Sequence, residues 1–145
     1  MFNYLLENLG TISTKDDAVQ ALESDTQLAT AILLVAVIPA ESSHAAEQSR
    51  ALHEGLRHIF ELNEDKCWTL MSRAVSHYRK EPSLLAPTTL LKHRLSIGFR
   101  QLIFVTAKRI AMADGHLHDY EADVLARLET LLDLRLAQLN ESLSA

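Results

Sequence analysis

Four glycines and three prolines are all that interrupt this chain of 145 residues. Average usage would supply about seventeen. Sandwiches and barrels need many tight turns, and those turns draw on the positive φ of glycine and the fixed φ of proline. A chain this poor in both is expected to be all-α. Apolar residues make up 48% and charged residues 23%, too apolar a balance for a disordered chain. The length fits one domain that buries about 68–70% of its unfolded surface.

Helical periodicity runs along most of the sequence. Phe2, Leu5, Leu6 and Leu9 form a short stripe at the N-terminus, within an arm over residues 1–15. Residues 11–15 read as a loop, and Ser24 or Asp25 as the N-cap of a helix that reaches about Ile38. Pro39 to Ser43 is a break. Ser43 or His44 opens a second helix with Leu52, Leu56, Ile59 and Phe60 inward, and Asn63 caps a third. A short helix is expected over residues 88–93, a fifth over 96–112 and a sixth over 119–132. A last one carries Leu136, Leu139 and Leu143. This predicts a single compact bundle of about seven helices. Leu33, Val37, Leu56, Phe60, Leu102, Ile103, Ile110, Leu128 and Leu132 are expected to share one core.

The chain also repeats itself. LATAILLVAVIPAE, then Glu47, then LRHIFEL ending at Leu62 recurs as LIFVTAKRIAMAD, then Glu121, then LETLLDL ending at Leu134. Glu41 corresponds to Asp114 and Glu47 to Glu121. Each unit, residues 25–66 and 96–136, is an apolar helix, an acidic loop and an amphipathic helix that opens on a carboxylate. Two such units can pack about a pseudo-two-fold axis, each covering the stripe the other cannot bury alone.

The densest chemistry lies in the second loop, Asp114-Gly-His116-Leu-His118-Asp119-Tyr-Glu121. Carboxylates bind hard cations, and imidazole moves the preference toward transition metals. The spacing is not that of a calcium hand. Two readings stay open. In one, Asp114, Glu121 and His118, supported by Glu41 and Glu47, hold a divalent cation. In the other, the same acids are helix caps. His44, His77 and His93 read as isolated surface residues. His53 and His58 are five apart, a poor spacing for zinc on one helix face. Cys67 reads as a small buried hydrophobe. No nucleophile elbow, phosphate loop, dinucleotide fingerprint or paired-cysteine motif occurs, so no enzyme is expected.

Charge is segregated. Residues 66–109 hold nine basic side chains against one acid, Glu81, a net of +8, whereas the remainder holds 18 acids and 5 bases, a net of −13. Either the two parts neutralise each other, or the basic segment docks a protein partner or an anionic membrane surface. An overall charge of −5 argues against nucleic acid. The longest uncharged apolar run, residues 28–40, is too short to span a bilayer. The N-terminus lacks the basic start of a secretory leader. A cytoplasmic protein is expected, in contact with the inner membrane at most from its surface.

These residues resemble the TerB-like family, named after tellurite-resistance proteins, and in particular its short free-standing bacterial members. The resemblance is carried by DTQLATAILLVAV (25–37), PAESSHAAEQ (39–48), RHIFELNEDK (57–66) and above all AKRIAMADGHLHDYEADVLARLETLLDL (107–134). In the family a helix ends in Ala-Asp-Gly and a glutamate follows seven residues after the aspartate, here Asp114 and Glu121. The resemblance implies a roughly seven-helix fold and a divalent-cation role for the acidic loops. It also implies an association with stress from metals and tellurium oxyanions, and it implies no reaction. Related domains precede the J-domain of membrane-anchored co-chaperones, but no His-Pro-Asp tripeptide occurs here. The first unit departs from the pattern, reading Ala40-Glu41-Ser42 without the glycine.

Overall fold

In the computed structural model the backbone is described for residues 12–39 and 44–134, and the side chains from Ser24 onward within those segments. These residues form six helices and no strand: α1 (Ile12–Ala36), α2 (Ala45–Phe60), α3 (Glu64–Lys80), α4 (Leu85–Arg94), α5 (Ile97–Ala111) and α6 (Asp119–Leu131). The expected stripe at residues 2–9 and the expected last helix lie outside the described residues.

The largest departure from the sequence reading is in α1. The helix starts at Ile12, inside the expected loop, and runs 25 residues without a break at Ser24 or Asp25. Neither residue caps a helix. The Asp25 carboxylate reaches sideways instead, to within 3.8 Å of Arg94 at the end of α4. Both residues are exposed, so neither competes for a buried backbone group. With no glycine or proline between Ile12 and Pro39, nothing stops the helix earlier.

The other boundaries fall close to expectation for physical reasons. Asn63 Oδ1 accepts from the Lys66 N–H at 2.8 Å and starts α3. Ser96 Oγ accepts from the Phe99 N–H at 3.3 Å and starts α5. Helix α4 begins three residues earlier than expected, at Leu85, because Pro87 sits in the first turn, where its missing N–H costs nothing.

Helix α1 is the axis of the core. Ala31, Leu33, Leu34, Ala36 and Val37 are fully buried, and α3, α4, α5 and α2 pack around it. Seven of the nine expected core residues are buried, and Phe60 packs half-buried against them, 6.3 Å from Phe99 between ring centres. Leu102 does not join them. The buried stripe of α5 runs Ile103, Thr106, Ala107, Ile110 and Ala111, which turns the preceding position toward solvent, where Leu102 is 37% exposed.

The repeat is visible in burial. Leu33 and Thr106, Leu34 and Ala107, Val37 and Ile110, and Leu52 and Leu125 are buried at equivalent places in the two units. The spacing is the 73 positions that also separate Gln48 from Glu121.

Candidate functional site

The two units meet where α2 and α6 begin. Helix α5 ends at Ala111, and the chain turns through Met112 to Gly115, whose N–H donates to Met112 O at 2.9 Å. Gly115 has φ of +88°, the left-handed conformation that a side chain would strain. It lies beyond the cap, since Met112 closes the helix, so its role is to reverse the loop after Asp114. The loop then rises to His118, the N-cap of α6.

Asp114 organises this loop. Its Oδ1 accepts from the His116 N–H at 3.0 Å, and its Oδ2 faces His118 Nε2 at 2.9 Å. The same Oδ2 lies 3.7 Å from Nε2 of His44, the N-cap of α2. The Asp114 side chain is only 2% exposed, whereas those imidazoles are 55% and 48% exposed. The hydrogen bond to His118, and then the one from the His116 N–H, hold the Asp114 carboxyl below its ordinary value of 3.8. The reciprocal bond raises His118 above its ordinary 6.5. His116 stays outside, its ring centre 6.4 Å from that of His118.

Glu121 belongs to a different layer. It is fully buried. Its Oε2 accepts from Gln48 Nε2 at 2.8 Å, and its Oε1 accepts from the His118 N–H at 3.4 Å. That second bond is the backbone half of a capping box. Gln48 and Glu121 are 73 positions apart, the same offset as the other matching buried positions of the two units. Tyr120 ties the same end together, its hydroxyl donating to Ala36 O at 3.1 Å.

Of the five residues expected to hold a cation, Asp114 and His118 are brought into contact. Glu121 lies beneath them with both oxygens engaged. Glu47 is exposed on α2, one position off the buried stripe that carries Gln48, and Glu41 lies outside the described residues. Two participants were missed in the sequence. His44, read as an isolated surface residue, faces Asp114. Gln48 holds the buried position next to the expected Glu47. The spacing Gln48–Leu52–Leu56–Ile59 was the available signal, since extending the stripe back one turn ends on Gln48. Among the described residues, no group of three or more His, Cys, Asp or Glu side chains is arranged to hold a metal ion.

Elsewhere the chemistry is quiet. Cys67 is buried with its thiol raised by desolvation, and its Sγ donates to His53 O at 3.5 Å. A thiol held that way is a poor nucleophile. The His53 ring stacks on Trp68 with centres 4.6 Å apart. No helix among the described residues is long and apolar enough to cross a membrane.

No curated protein and no solved structure matches the chain. The family described as tellurite resistance protein TerB does, over residues 27–142. That span takes in both acidic loops and the helices that frame them, so the chain belongs to the TerB family.

Proposed function

We propose that this chain is a non-enzymatic, stress-associated TerB domain that takes a divalent cation at its second acidic loop, with Asp114 and His118 as the protein donors and water completing the shell. The observation that carries the reading is the close approach of the His118 imidazole to one shielded oxygen of Asp114 on the same loop. Donor atoms around a tetrahedral zinc-like ion stand about 3.3 Å apart. The Asp114 Oδ2 to His118 Nε2 distance, 2.9 Å, is a few tenths of an ångström short of that value. The His118 side chain is 55% exposed, open to water and to an arriving ion. An imidazole nitrogen beside a carboxylate oxygen suits a transition metal better than calcium. Glu121 and Gln48 hold the frame beneath the donors and take no part in binding, and Glu47 and Glu41 contribute charge at most.

Binding of a metal to His118 displaces its proton, so affinity should fall as pH drops through the folded value of His118, which lies above 6.5. The test is a set of thermal melts on chelator-stripped protein with zinc, manganese and calcium, beside the Asp114→Asn/His118→Gln variant. A cation at a hundred times its Kd should stabilise the wild type by about 2.7 kcal/mol and leave the variant unmoved. A wild type indifferent to all three ions would overturn the reading. One observation supports the alternative, a docking module whose loop acids are purely structural. Every carboxyl oxygen of Asp114 and Glu121 already has a partner within the protein.

A further inference from the structure

The basic segment seen in the sequence does not form one face. Arg94 is paired with Asp25, and Arg100 turns inward, its Nη1 donating to Leu132 O at 2.8 Å. Helix α3 is different. Its inner side, Cys67, Leu70, Met71 and Ala74, is buried against the bundle. On its outer side, every exposed residue after Asp65 is a cation, a hydroxyl, a histidine or Trp68. Lys66, Arg73, Arg79 and Lys80 make no ion pair among the described residues. No acid occurs between Asp65 and Glu81. Trp68 is 49% exposed, and Arg79 and Lys80 border the same depression.

The geometry points to the outer face of α3 as a docking surface for an anionic lipid bilayer. Lys66, Arg73 and Lys80, seven residues apart, run as a row of about 20 Å along the exposed side of the helix, and Arg79 stands beside Trp68. A convex row of unpaired charge matches negative charge spread over a plane. An acidic peptide would need a groove with seated polar groups. The depression beside Trp68 is lined by Met71 and Val75 together with Ser72 and Ser76, and its cations stand at the exposed rim. It offers a single carboxylate or phosphate no buried partner. An exposed indole flanked by lysine and arginine is the arrangement that settles at headgroup depth. This surface is independent of the Asp114 site.

Trp68 is the only tryptophan in the chain, so its emission reports on this face alone. The full chain is titrated with vesicles of zwitterionic lipid containing about 30% phosphatidylglycerol, and with purely zwitterionic vesicles. The anionic vesicles should shift Trp68 emission to the blue and carry the protein on flotation, and added salt should reverse both. The zwitterionic vesicles should do neither. Each phospholipid-facing cation removed should weaken partitioning about five-fold, so Arg79→Ser/Lys80→Ser should lose about 25-fold. Lys108→Ser/Arg109→Ser removes the same charge from α5 and should lose less than about two-fold. Circular dichroism checks that both variants fold. Three results would overturn the proposal: no emission shift with anionic vesicles, equal losses from the two variants, or a shift produced by soluble poly-glutamate and not by vesicles.

Discussion

Gln48 and Glu121 stand at equivalent places in the two units, and they touch: Gln48 Nε2 donates to Glu121 Oε2 at 2.8 Å in the fully buried interior. Removing one partner strands the other away from water. Gln48→Leu should therefore cost about 1–3 kcal/mol, the desolvation penalty of an unmet carboxyl oxygen. Glu121→Leu should cost a similar amount and also lose the bond to the His118 N–H. The double substitution should be less destabilising than the sum of the two, because both polar groups leave together. Denaturant unfolding of the four proteins gives the coupling directly, and strict additivity would show that the pair is not linked.

The Asp114–His118 pair makes stability depend on pH on both sides. Asp114 is lowered below 3.8 in the folded protein, so its contribution is present above that value and is lost as pH falls through the folded value. His118 is raised above 6.5, so its contribution is full below 6.5 and is lost as pH rises through the folded value. In metal-free buffer the pair therefore helps most between about pH 4 and 6.5. The thermal midpoint should decline on the alkaline side of 6.5, and His118→Gln should remove that decline. An unchanged alkaline limb in the variant would place the effect elsewhere.

Gly55 lets α2 and α5 approach closely. A Cβ there would lie 2.6 Å from Thr106 Cγ2, and Thr106 cannot turn away easily, because its hydroxyl is bonded to Leu102 O at 2.8 Å. Gly55→Ala gains about 0.5–1 kcal/mol of helix propensity and loses about 1–3 kcal/mol to overpacking. The net outcome should be a lower melting temperature. In a Thr106→Ser background, which removes the obstructing methyl, Gly55→Ala should become neutral or stabilising. Four melts decide it.

Leu128 is fully buried and Leu102 is not. Leu128→Ala should cost about 2–5 kcal/mol. Leu102→Ala should cost about 1–2 kcal/mol, since more than a third of its surface stays in water on folding. Equal shifts would mean that the register of α5 is misplaced.

What was legible in the sequence follows the strength of each local signal. The apolar spacing in α3 and α6 and the caps at Asn63 and Ser96 announce themselves through short-range chemistry, and those helices stand where expected. Ser24 and Asp25 misled, because cap residues are also tolerated on an exposed helix surface, and only the neighbouring Arg94 shows where the Asp25 carboxylate goes. At the site, the loop from Asp114 to Glu121 was recognisable as a unit. The partners supplied by the other unit were not. His44 and Gln48 gain their roles from the approach of the start of α2 to the Asp114–Glu121 loop, a long-range fact that carries no mark in their own neighbourhood.

The bond from the Tyr120 hydroxyl to Ala36 O reaches across 84 positions and fills one of the carbonyls that the end of α1 leaves open. It clasps the exit of one unit to the entrance of the other's last helix. Local opening at either end then breaks the same fastener. The final turn of α1 and the first turn of α6 should therefore loosen and reclose as one body, so that a ligand or substitution at Asp114 is felt in the amides before Pro39.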